Sequence, residues 1–193
     1  MSRLVVCRLG LSRLGLSRLA TALSGARPDE VAVRRPCDAV VPAPRARWVR
    51  AVDAGAPPAA VWRWVCQLTV APYSYDLVDN LGRTSPRTFT PGADRLEVGQ
   101  RLMILFVIDS FVVGEHLTVR LRRPGRGILG EFAITYSVVP GGGPGGRGTR
   151  LVGTVAVDGS PSRLGRLVRW ALGWGDLVMM RRQLRTLARY ARG

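Results

Sequence analysis

WVRAVDAGAPPAAVWRWVCQLTVAPYSYD, residues 48–76, runs from an alternating segment through a Pro-Pro turn into a short amphipathic helix and an aromatic-rich connection. Trp48, Arg50 and Val52 alternate with Arg47, Val49 and Ala51, the two-residue period of a strand. Pro57 and Pro58 pre-set φ where the first helical turn tolerates a residue without an N–H. Ala60, Val61, Trp64, Val65 and Leu68 then fall on one side of a helix, with Arg63 away from that stripe. A strand, a turn and a helix in this order suit a fold that encloses an apolar cavity.

Downstream, SYDLVDNL (74–81) predicts a second short helix, with Ser74 as N-cap, Leu77, Val78 and Leu81 inward, and Gly82 at its end. Residues 83–99 are rich in turn formers. The apolar run Leu102–Ile108 is too short to cross a bilayer and reads as one buried strand, continued by Phe111–Val113. Leu117, Val119 and Leu121 alternate with His116, Thr118 and Arg120; Phe132, Ile134, Tyr136 and Val138 alternate with Glu131, Ala133, Thr135 and Ser137. Leu151–Val157 is the last strand. The GGGPGGRG loop (141–148) before it joins two strands and lacks the Lys-Ser/Thr of a phosphate-binding loop.

The chain closes with a helical region over residues 163–191. Asp176, Leu177, Met180, Leu184, Leu187, Ala188 and Ala191 form its inward stripe at three- and four-residue steps. Gly173 and Gly175 predict a break or kink. Ahead of them, Leu164, Leu167, Val168, Ala171 and Leu172 stand beside Arg163, Arg166 and Arg169. That basic amphipathic segment suits either a cover for the sheet or a membrane interface.

A chain of 193 residues is expected to hold one domain with a core that needs no staples. Cys7, Cys37 and Cys66 include no C-x-x-C pair, so neither a disulfide framework nor a zinc site is signalled, and a reducing cytoplasm is the expected setting. His116 is the only histidine, which excludes metal sites built on two imidazoles. No metal and no cofactor is expected.

The formal charge is +16, and every one of the 29 basic residues is arginine. Residues 1–50 hold ten Arg against three acids and residues 161–193 eight against one, whereas residues 51–160 hold eleven against nine. The excess therefore sits at the two ends. It makes an anionic membrane surface a candidate partner, with the protein then peripheral to the membrane; nucleic acid is the less favoured alternative, and the bland reading is a solvated basic surface.

In RLGLSRLGLSRL (8–19), Arg8, Arg13 and Arg18 recur every five residues, following Arg3. Each step advances by about 140° on a helix, so no clean polar face forms. Arginine interrupts every apolar run, which argues against a signal peptide. Residues 1–45 read as a basic, mobile extension, with a processed targeting segment as the second reading, and residues 46–193 as the folded domain.

This layout resembles the helix-grip fold of the START-like SRPBCC superfamily. The resemblance rests on VDAGAPPAAVWRWVCQL (52–68), the YSYDLVDN run (73–80), LEVGQRL (96–102), TRLVGTVAVD (149–158) and LVMMRRQLRTLARYA (177–191). Within it, the chain looks most like bacterial polyketide cyclase/dehydrase-like proteins with a Tyr-Ser-Tyr-Asp segment after the first helix. The resemblance implies an α+β fold. A curved antiparallel sheet wraps around a long C-terminal helix, two short helices follow the first strand, and a ligand cavity lies between sheet and helix. The connection TVAPYSYD (69–76) is shorter than such relatives usually carry, so the cavity entrance is expected to differ.

Candidate ligand-binding residues are Tyr73, Tyr75, Phe106, His116, Phe132, Tyr136, Trp174 and Met179, with Arg83 and Trp170 beside them. Packing is the ordinary role of Phe106, Phe132 and Met179. His116 could exchange a proton near neutral pH. It falls opposite Leu117, Val119 and Leu121, however, and no Ser, Cys or carboxylate has a sequence-defined partnership with it. Cys66 reads as an inert small hydrophobe. No catalytic set is assigned and the oligomeric state is left open. The leading expectation is a binder of a hydrophobic small molecule that is lipid-like, polyketide-like or aromatic. A polyketide cyclase or dehydratase is the second, and a basic surface-binding protein the third.

Overall fold

The computed structural model describes residues 25–75, 82, 84–102, 105–122, 130–141 and 148–193. Six antiparallel strands form one curved sheet: β1 (Ala46–Asp53), β2 (Arg101–Leu102), β3 (Phe106–Val112), β4 (His116–Leu121), β5 (Phe132–Pro140) and β6 (Thr149–Val157). Their order across the sheet is β1-β6-β5-β4-β3-β2. Helices α1 (Pro28–Ala32) and α2 (Cys37–Val40) precede β1, α3 (Pro58–Cys66) follows it, and α4 (Arg163–Ala191) ends the chain. This is the helix-grip arrangement.

The alternation of the opening stretch becomes two faces. On β1, Val49 and Ala51 pack with Val152 and Ala26 on the outer side, while Trp48 and Val52 join the interior. β1 pairs with β6 along its whole length, from Ala46↔Val157 to Asp53↔Arg150. Pro57 is the extended N-cap of α3 and Pro58 its first residue, as the Pro-Pro turn requires. Val61, Val65 and Leu68 are fully buried and Trp62 nearly so. Trp64 is only half-buried: its ring lies 4.9 Å from Tyr190 and 5.9 Å from Tyr73, bridging α3 to the end of α4.

Two expectations are corrected. The run Leu102–Ile108 is not one strand. Arg101 pairs with Val107 and Leu102 with Phe106, so the chain doubles back as a tight hairpin. Apolar composition marked burial there, but a continuous run carries no information about direction. The second correction is in α4, which passes through Gly173 and Gly175 as a single helix of 29 residues. The glycine at 173 is explained by a close approach rather than a break: a Cβ there would lie 3.1 Å from the Trp48 indole.

The segment ahead of β1 is described in part. Residues 1–24 lie outside the described residues, but residues 26–41 are packed on the outer face of the sheet. Cys37 and Val41 are buried against Ala133 and Ala156. Arg150 of β6 donates two 2.7 Å hydrogen bonds to the Glu30 carboxylate and a third to the Gly25 carbonyl. Arg47 of β1 grips Asp38 and the carbonyls of Val31 and Val33 in the same way. The Cys37 amide donates to Thr135 Oγ1, which is 2.9 Å from Thr118 Oγ1. Each planar guanidinium matches a carboxylate with parallel hydrogen bonds, which gives a short, aperiodic segment one fixed seat. The second helix expected over 74–81 lies largely outside the described residues.

Candidate functional site

The inner face of the sheet and α4 form the seam that holds the site. β4 and β5 turn Leu117, Val119, Leu121, Phe132, Tyr136 and Val138 inward, and β6 adds Leu151, Val155 and Val157. Met180, Leu184 and Leu187 of α4 close over them. Gly153 on β6 sits beneath Met180; a Cβ there would be 2.9 Å from its sulfur. The Tyr136 hydroxyl donates to Gln183 Oε1 at 2.8 Å, and Gln183 Nε2 donates to the Pro72 carbonyl. Toward the β2–β3 end the seam becomes aromatic, with Phe106 half-buried and its ring 5.8 Å from Phe132.

A charged pair also stands between β1 and α4. Arg50, on the inward side of β1, places Nη2 3.2 Å from Asp176 Oδ2 on α4, and both side chains are about nine-tenths buried. Arg50 also donates to the Val49 carbonyl and reaches the Gly173 carbonyl. Arg50 Nε and Asp176 Oδ2 are buried without a well-aligned hydrogen-bond partner among the described residues. Burial pushes the Asp176 carboxyl up to about 6, against the pull of Arg50. Burial also lowers the Arg50 guanidinium, with Asp176 opposing.

The candidate residues divide by location. Phe106, Phe132 and Tyr136 reach the inner face, and Met179 is half-buried on α4 beside the buried Met180. Tyr73 is buried next to this core. Its hydroxyl accepts from Gln67 Nε2 at 3.1 Å, and it is the one non-glycine among the described residues with a left-handed φ, +56°. Gln67 also donates to the Thr88 carbonyl and accepts from the Thr90 amide, so Tyr73 belongs to a clamp on the following loop.

The others lie elsewhere. Tyr75 lies under the Arg182 guanidinium, 4.3 Å from its ring centre, in a groove between α4 and β1. Trp174 is exposed, edge-on to Trp170 at 6.4 Å. His116 pairs across the sheet with Ser137 and points to the outer face, because Leu117, its neighbour, takes the inward position. Burial lowers its pKa, with Glu115 opposing and Arg35 adding to the fall. Arg83 lies outside the described residues.

Sequence reasoning passed over Arg50 and Asp176. The signal was present: Asp176 is the sole acid in residues 161–193 and falls in the inward stripe, and Arg50 shares its strand face with Trp48 and Val52. Cys66 is buried, and burial, with Asp94 nearby, pushes its thiol up to about 12. Among the described residues no His/Cys/Asp/Glu cluster could hold a metal ion, and no helix is long and apolar enough to cross a membrane.

No protein-family model matches the chain, and no curated protein matches it. Several solved structures are similar to the chain over about three quarters of its length. A protein from Thermobifida fusca is 23% identical with a TM-score of 0.47, over 76% of this chain and 93% of its own. One from Mesorhizobium loti is 16% identical with a TM-score of 0.46, over 75% and 98%. The di-domain ARO/CYC StfQ of the steffimycin biosynthetic pathway is 11% identical with a TM-score of 0.47, over 76% of this chain and 50% of its own.

Proposed function

We propose that the protein binds a hydrophobic small molecule in the seam between the sheet and α4, and that Arg50 and Asp176 engage a polar group on that molecule. The observation that carries this reading is the buried Arg50–Asp176 pair, with Arg50 Nε and Asp176 Oδ2 lacking a well-aligned hydrogen-bond partner among the described residues. Buried polar atoms are almost always satisfied, so such atoms in an apolar site are natural contacts for a ligand oxygen. Phe106, Phe132, Tyr136 and Met179 would supply the apolar walls. The ligand class is an extended or ring-bearing molecule with a carbonyl, carboxyl or hydroxyl group: lipid-like, polyketide-like or aromatic.

Native mass spectrometry of the protein isolated from its natural host, followed by organic extraction, tests this. The expected result is a bound apolar molecule of defined mass, held about tenfold less tightly by Arg50→Met. Protein with no bound species, and with an unchanged affinity for anilinonaphthalene sulfonate in Arg50→Met, would overturn it.

One observation favours a second reading, a cyclase or dehydratase acting on a polyketide-like substrate. A carboxyl pushed to about 6 is suited to proton transfer near neutral pH. In that case Asp176→Asn would abolish turnover of a linear poly-β-ketone mimic while leaving its binding in place. Unchanged product formation would remove the reading.

A further inference from the structure

The outward face of α4 carries an unbroken stripe at helical spacing. Leu164, Leu167, Ala171, Trp174 and Val178 come first, and the same three- and four-residue steps continue as Arg182, Arg185 and Arg189. All eight are exposed. The apolar half is about 20 Å long at the helical rise. Leu164 is 70% exposed, Leu167 60%, Val178 52% and Trp174 49%, and Trp170 beside them is 64% exposed. A soluble surface rarely leaves so many large apolar side chains on one helix without a partner.

The charge around the stripe has one sign. Arg163 and Arg166 are exposed beside the apolar half. Beyond it, Arg181, Arg182, Arg185, Arg189 and Arg192 line a groove of about 840 Å³ against β1. The one acid on α4, Asp176, is turned inward to Arg50. Asp53 also lines the groove, but it pairs with Arg150 and Arg27. The face therefore offers apolar and indole groups next to arginines without a competing carboxylate on its own helix.

We infer that this face docks the protein on an anionic phospholipid surface. Leu164, Leu167, Trp170 and Trp174 enter the boundary between headgroups and acyl chains, where indole rings are favoured. Arg182, Arg185 and Arg189 meet lipid phosphates, which accept paired N–H donors from guanidinium. Long arginine stems also let Arg163 and Arg166 lie along the apolar boundary with their heads in water. The sign of the charge selects the lipid: a neutral bilayer would satisfy the apolar half alone. A second copy of the chain would bring arginine against arginine wherever the two stripes ran parallel. The inference stands apart from the ligand reading, since the residues involved are on the opposite side of α4 from the seam.

The test is co-sedimentation of the full chain with vesicles of phosphatidylcholine, with and without phosphatidylglycerol. Binding is expected only with phosphatidylglycerol, and should weaken about tenfold or more in about 0.5 M salt. The double variants Leu167→Glu/Trp174→Glu and Arg182→Glu/Arg185→Glu should each lose at least about tenfold in vesicle affinity. Val113→Glu, an exposed site on the β3–β4 turn, should bind as wild type. Brominated phospholipid should quench tryptophan emission of the wild-type protein, a reading that depends on no variant.

Equal binding to neutral vesicles, or undiminished binding by both double variants, would overturn the inference. So would absence of quenching. A dimer in analytical ultracentrifugation that Trp174→Glu dissociates, without vesicle binding, would assign the face to a second copy instead. Binding of duplex DNA with the same arginine dependence, again without vesicle binding, would assign it to nucleic acid.

Discussion

Arg50 of β1 and Asp176 of α4 face each other at 3.2 Å inside the seam between sheet and helix, and the pair is the sole ion pair found there among the described residues. It joins the edge strand β1 to α4, so the protonation of Asp176 acts on the contact between them.

The Asp176 carboxyl should titrate near pH 6 in the folded protein, read as the carboxyl carbon shift by NMR. Its folded value exceeds the ordinary 3.8, so between about pH 4 and about pH 6 the folded state keeps a proton the unfolded chain has lost. Asp176 alone therefore makes stability fall as pH rises through that window. The difference in urea midpoint between wild type and Asp176→Asn should shift in that sense across the window and be flat above it. A flat difference throughout would show the carboxyl to be unperturbed.

The Arg150–Glu30 pair should carry the opposite dependence. Despite the opposing effect of its own burial, the Arg150 and Arg27 contacts hold the Glu30 carboxyl below its ordinary 4.5. Its contribution is present above about pH 4.5 and is lost as pH falls through the lowered value. Glu30→Ala, which leaves the Arg150 guanidinium with only Asp53 and the Gly25 carbonyl, should cost about 1–3 kcal/mol by chemical denaturation. It should also raise amide exchange in residues 26–41.

Two neighbouring glycines of α4 should respond unequally to the same substitution. At Gly175 an added Cβ meets nothing within 4 Å. Gly175→Ala should therefore raise stability by about 0.5–1 kcal/mol through helix propensity. Gly173→Ala makes the same propensity gain but drives a methyl to 3.1 Å from the Trp48 ring, so it should be about 0.5–2 kcal/mol less stable than Gly175→Ala. The two Tm shifts, measured side by side, check the close approach directly.

Removing the Tyr136 hydroxyl should leave Gln183 Oε1 without its donor in a buried position. Tyr136→Phe is expected to cost about 1–3 kcal/mol with little change in the fold, measured by denaturant midpoint and near-ultraviolet circular dichroism.

Cys37 and Cys66 are buried and burial raises both thiols, the latter to about 12. Both should resist alkylation at neutral pH in the native protein and react on unfolding. Peptide mapping after a timed iodoacetamide pulse distinguishes the two states.

The legible parts of the chain were those with strong local periodicity. Trp48–Val52, Val61–Leu68, Phe132–Val138 and Leu151–Val157 each carry a two- or 3.6-residue pattern that survives in the structure as a buried face. Misreadings arose where a local pattern has two physical solutions. Seven apolar residues at 102–108 fit a buried strand as well as the hairpin observed, and Gly173 fits a kink as well as a contact with Trp48. The inward positions of Phe132 and Tyr136 were readable from strand alternation, whereas Phe106 lay in the apolar run that gave no direction. The outward position of His116 was readable from the same alternation.

The alternating strands, the Pro-Pro helix start and the terminal helix were written in residue order, because each depends on contacts within a few residues along the chain. The Arg50–Asp176 pair, the clamp of Arg150 and Arg47 on residues 26–41, and the exposure of the α4 stripe were decided only when distant segments met. A charged side chain has no local periodicity to announce its partner. Whether it ends buried and paired or free in solvent depends on which backbone happens to lie across from it, and that is a property of the folded sheet and helix together.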